Sequence, residues 1–149
     1  MTTQAMQSAT VTPDGLLRKA IRANGIFCTT SGVLIGLLSP WVAGMAGIAG
    51  VPVLGPVTGV PFLIGLAVIL AIYGPTLIWA SGRETFPLWV PVEVLVLDIA
   101  WVALSAWVVL GNLWPTTTFG NVLIVLLADA VLVFIAVQVW GLRRMLRAR

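Results

Sequence analysis

Three carboxylates stand in segments otherwise apolar enough for the interior of a bilayer. Glu93 and Asp98 lie in VEVLVLDIAWV, residues 92–102, and Asp129 lies in VLLADAV, residues 125–131. Acids in such surroundings do one of two kinds of work. They accept hydrogen bonds that hold helices together, or they take up and release protons along an ion pathway. Asn24, Cys28, Ser31, Ser105 and Gln138 are the neutral polar groups available to them. Other chemistry is closed to the chain acting alone. With no histidine and one cysteine, it lacks His ligands for haem, zinc or copper, a His-based triad, and the two thiols of disulfide exchange. Cys28, inside an apolar run, reads as a buried inert thiol.

Depth and helix face separate the acids. Glu93 is about five residues into its span, some 7–8 Å deep at 1.5 Å per residue. It reads as an interfacial acid within reach of water, Arg83 or the basic cluster that follows the fourth span. Asp98 is about 15 Å deep by the same rise, near the midplane. At ~100° per residue, Asp98, Trp101, Ser105 and Asn112 share a stripe, and Glu93 is turned about 140° away from Asp98. Asp129 is about 15–18 Å deep from either end of its span, level with Asp98. A bare charge there costs at least ~2.5–3.5 kcal/mol, so both aspartates are expected to face the bundle interior as candidate protonation sites. Asn24 and Ser31 share a face of the first span, with Cys28 between them. Packed against the third span, they would satisfy the acids, Ser31 at the level of Asp98 and Asn24 nearer Glu93. Gln138 is about 180° from Asp129 on its helix and is expected to serve another contact, between subunits.

The elements that must position these groups follow from composition. Of 149 residues, 60% are hydrophobic and 9% charged, against roughly 25% charged in a soluble domain. So small a chain cannot hide that much apolar surface in one core. The fold class is therefore an all-α integral membrane four-helix bundle. Its spans lie at about 23–43, 60–80, 88–110 and 119–141, each near the ~20 residues that cross a hydrocarbon core. Residues 1–12 read as a disordered polar tail and 13–149 as one transmembrane domain. Thr12-Pro13-Asp14-Gly15 has the chemistry of a helix start, and residues 16–22 should run through the headgroup zone into the first span.

All eight basic residues fall on one side of such a bundle: Arg18, Lys19, Arg22, Arg83, Arg143, Arg144, Arg147 and Arg149. The positive-inside rule makes that side, and both termini, cytoplasmic. Trp41, Trp79, Trp89, Trp114 and Trp140 fall near span ends, as an interfacial belt requires. These cations read as topology determinants and headgroup contacts, not as a nucleic-acid surface. Residues 1–46 also fit a cleavable signal with Gly44-Met45-Ala46 at its end, although the basic region is unusually long for one. Residues 44–59, rich in Gly and Pro, read as an interfacial loop. Gly32-Val-Leu-Ile-Gly36 offers a GxxxG face for close helix approach, and Gly74-Pro75 predicts a kink in the second span.

Arg22-x-Asn24-x-x-Phe27-x-x-x-Ser31-Gly32 and Leu97-Asp98-x-x-Trp101-Val102-x-x-Ser105 resemble a group of small four-span bacterial inner-membrane proteins with no assigned activity. The resemblance implies a multi-pass protein of the inner membrane with an Asn–Ser–Asp polar centre, and it brings no catalytic residues. The function expected is structural or accessory, without catalytic activity, cofactor or metal. The alternative is a small proton-linked transporter or channel component using Asp98 and Asp129. Partners are the lipid bilayer and a homo-oligomer or another membrane protein; no substrate is identified.

Overall fold

The computed structural model describes residues 10–11 and 15–147. Most of the polar tail expected over 1–12, and the Thr12-Pro13-Asp14 helix start, lie outside the described residues. Four helices dominate: α1 (Gly15–Met45), α2 (Gly59–Ser81), α3 (Trp89–Leu110) and α4 (Thr118–Arg147). All four are long and apolar enough to cross a membrane. A helix satisfies its own backbone polar groups, which is what a segment with few polar side chains needs in an apolar medium. Short strands fill the connections: β1 (Thr10–Val11) pairs antiparallel with β4 (Phe86–Pro87), and β2 (Pro52–Leu54) with β3 (Val57–Thr58).

The helix bounds follow local chemistry. The Thr117 hydroxyl accepts from the Gly120 amide at 3.2 Å, an N-cap for α4. At the end of α3, Asn112 takes a left-handed φ of 47°, and the Leu113 amide returns to the Val108 carbonyl at 3.2 Å. α1 opens at Gly15, the last residue of the expected helix start, and Leu17 and Ile21, both wholly buried, extend its packed face toward the basic end.

α1 is the central element. It lies closest to α2, where small residues let the backbones approach. A Cβ on Gly25 would meet the Gly74 carbonyl oxygen at 2.8 Å, and one on Gly32 would meet the Ala67 carbonyl oxygen at 2.9 Å. The GxxxG pattern therefore has its partner in α2. At the basic end, Leu17, Ile21, Leu77, Val94 and Met145 draw all four helices into one cluster. At the opposite end, Ala43, Ala46, Ile48 and Leu63 form a second. Residues 44–59 are thus tied into the packing: the Trp114 indole donates to the Val53 carbonyl at 3.1 Å, and the Thr117 amide to the Ala46 carbonyl at 3.0 Å.

Candidate functional site

The Asp98 carboxylate is the centre of the only side-chain network between helices deep in the bundle, among the described residues. Asp98 is 6% exposed, Asn24 0% and Gln138 2%. The Asn24 amide nitrogen donates to both Asp98 oxygens, at 3.1 Å to Oδ1 and 2.8 Å to Oδ2. The Gln138 amide nitrogen donates to Oδ2 at 2.8 Å. The Cys28 thiol donates to Asn24 Oδ1 at 3.6 Å, which fixes the orientation of the Asn24 amide. Three helices, α1, α3 and α4, are thereby joined at one acceptor.

The level at which they meet is set by the helix starts. Asn24 stands about nine residues past Gly15, Asp98 about nine past Trp89 and Gln138 about nine before Arg147, each ~14 Å along its helix at 1.5 Å per residue. The expectation that Ser31 would share the level of Asp98 fails here. α1 is set along its axis so that Asn24 meets Asp98, which leaves Ser31, seven residues further on, about 10 Å beyond that level.

Two further corrections concern α4. Gln138, expected to face another subunit, turns inward, and Asp129, expected to face the interior, turns outward. Asp129 is exposed, and it lies about nine residues from Gln138, some 14 Å along the helix at that rise. The two therefore occupy opposite faces, and only one can point inward. An amide beside Asp98 offers a donor to a carboxylate, whereas a second carboxylate would repel it. The signal for Gln138 was its offset of half a turn from Asp129, and it was read in the wrong sense.

The remaining expected groups lie apart from this network. Ser105 is buried and Ser31 half-buried. Both line a cavity of about 330 Å³ in the half of the bundle away from the basic end, walled mostly by apolar side chains such as Leu63, Trp101 and Leu127. Such a wall is suited to hydrocarbon. Glu93 is exposed near the basic end. Arg83, its expected partner, lies over the Trp79 ring at 3.8 Å.

Among the described residues, Gln138 Oε1 and Tyr73 Oη are buried beside the network without a hydrogen-bond partner. Tyr73 packs on the basic-end cluster and lies within electrostatic range of Asp98. No sequence signal marked Tyr73 beyond its place before Gly74-Pro75. The arrangement holds an acceptor between two amides, and the Cys28 thiol serves as a donor to Asn24. Among the described residues, no group of three or more His, Cys, Asp or Glu side chains could hold a metal ion. No known protein family, curated protein or solved structure matches this chain.

Proposed function

We propose that the chain is a multi-pass protein of the bacterial inner membrane, with both termini in the cytoplasm. On this reading it is a structural or accessory component without catalytic activity of its own. The observation that carries the reading is the geometry at Asp98, where Asn24 and Gln138 both donate to one buried carboxylate. A group whose oxygens are engaged from two neighbouring helices acts as a tie. The substitution Asp98→Asn tests it. Asparagine keeps the shape but turns an NH₂ group toward two amide donors, so the variant should lose about 1–3 kcal/mol of stability. Thermal unfolding in detergent reads this directly, and an Asp98→Asn protein as stable as wild type would refute the tie.

A second reading, proton-linked transport, is favoured by Gln138 Oε1 and Tyr73 Oη, which leave unused hydrogen-bonding capacity beside a buried carboxyl. On that reading Asp98→Asn abolishes proton flux in liposomes while leaving the fold intact. On the structural reading, wild type and variant leak equally.

A further inference from the structure

An aspartate on the outside of α4 is the least expected feature of the molecule. Val122, Leu126, Val133 and Trp140 are 51%, 61%, 62% and 65% exposed, and Asp129 and Ala136 are exposed between them. Successive members of this set are four, three, four, three and four residues apart. That spacing averages the 3.6 residues of one helical turn, so they form one straight face. Phe119 and Trp140 close its two ends, about 21 residues or ~31 Å apart at 1.5 Å per residue, which matches the ~30 Å of a hydrocarbon core. Asp129 stands at the midpoint between them, with no hydrogen bond or ion pair to any described residue. Intramembrane acids face a bundle interior or a polar partner, not lipid.

We propose that this face of α4 is the seam on which a second copy of the chain packs, with Asp129 of each copy meeting its counterpart on the two-fold axis. The proposal rests on reading the helices as membrane spans. Complementarity then selects the partner. Copies inserted in one orientation can be related only by an axis along the membrane normal, so each residue on the seam meets itself at its own depth. A carboxyl group in its neutral form suits such self-pairing, because it carries one donor and one acceptor, so each copy gives one hydrogen bond and takes one with no net charge left in the seam. The chain supplies no cation at this level: the nearest on α4, Arg143, lies about 14 residues away, some 21 Å at that rise. A single polar residue in an otherwise apolar seam fixes register and stoichiometry, as in coiled coils.

Single cysteines test the seam in native membranes. The wild-type chain, carrying only buried Cys28, serves as background. Under mild oxidation, Val122→Cys, Leu126→Cys and Val133→Cys should give covalent dimers. Ile69→Cys and Leu97→Cys, at exposed positions on α2 and α3, should give none. Dimers absent from α4, or as abundant from α2 and α3, overturn the proposal, and the first result would leave the seam to a different protein. Asp129→Leu supplies a second readout by light scattering in detergent. It should weaken self-association about three- to thirtyfold, the scale of one hydrogen bond between membrane helices, while Asp129→Asn stays within a few-fold of wild type. Leucine is the better residue for lipid, so unchanged or tighter association of Asp129→Leu would sink the axis contact. Carbonate extraction of the same membranes checks insertion separately: a chain released by carbonate negates the membrane reading itself.

Discussion

Asn24 and Gln138 both serve Asp98, yet they are not equivalent. Asn24 reaches both carboxylate oxygens and is itself held by the Cys28 thiol. Gln138 makes one contact and leaves its own oxygen without a partner. Removing either leaves Asp98 short of a donor in a dry interior, and the cost is that of the unsatisfied group more than of the lost bond. Asn24→Ala should therefore lower stability by about 1–3 kcal/mol, and Gln138→Leu by less, about 1 kcal/mol, because the leucine also removes the orphaned oxygen. Equilibrium unfolding in mixed micelles orders the two, and a larger loss for Gln138→Leu would contradict the inventory. The double variant should lose less than the sum, since both donors share one acceptor. Asp98 and Asn24 were legible in the sequence because a polar group in an apolar run has few explanations. Which face of α4 turns inward was not, because Gln138 and Asp129 are half a turn apart and both looked costly to expose. That choice is settled by the partner, and the partner sits on α3.

Helix positions were more legible than helix pairings. Runs of apolar residues bounded by Gly, Pro and charge located the four spans to within a few residues; the Thr12-Pro13-Asp14-Gly15 start also marked how far α1 extends toward the basic end, whereas nothing marked the extension of α4 past Gly141. Continuation there depends on tertiary packing: Leu17 is wholly buried, and a Cβ on Gly141 would meet the Leu17 Cβ at 2.9 Å. The GxxxG of α1 announced a close contact without saying with which helix. The contact with α2 gives a matched pair of substitutions. A Cβ on Gly32 would meet backbone atoms of Ala67 and Ala71, both at 2.9 Å, whereas one on Gly65 would meet nothing within 4 Å. Backbone cannot step aside as a flexible side chain can. Gly32→Ala should cost about 1–3 kcal/mol as overpacking. Gly65→Ala should be neutral, or stabilising by up to ~1 kcal/mol through helix propensity. Unfolding of the two variants under one set of conditions decides the matter, and equal effects would mean that α1 and α2 do not approach as closely as described.

Across the whole molecule, the two ends differ in kind. At one end Arg18, Lys19, Arg22, Arg83, Arg143, Arg144 and Arg147 gather where α1 and α3 begin and α2 and α4 finish, and the Arg18 guanidinium donates to the Glu84 carbonyl at 3.1 Å. The other end has no Lys or Arg in either connection, 46–58 or 111–117, and its packing is hydroxyls, glycines and aromatic rings. Phe62 and Trp114 meet edge-on at 5.4 Å, and Trp41 and Phe119 at 5.9 Å. Such an asymmetry has little effect on the internal stability of the fold, because exposed cations interact weakly in water. It matters to insertion, where Lys and Arg close to a span hold that end in the cytoplasm. With all the charge at one end, there is no competing signal, and a single orientation is expected. On the proposed topology, alkaline phosphatase fused after Gly50 or Asn112 should be active, because that topology puts both sites in the periplasm. Fused after Gly82 or Arg149, it should be inactive, and green fluorescent protein at those two sites should fluoresce. An active phosphatase at Arg149 together with an inactive one at Gly50 would invert the topology. Activity at Gly50 and at Arg149 alike would mean an even number of crossings between the two sites, so that one of α2, α3 and α4 does not span. Replacing Arg143, Arg144 and Arg147 together by Gln tests the cause. The amino-terminal cluster, Arg83 and Arg149 remain, so the orientation should hold, and it should become mixed only when Arg18, Lys19 and Arg22 are neutralised as well.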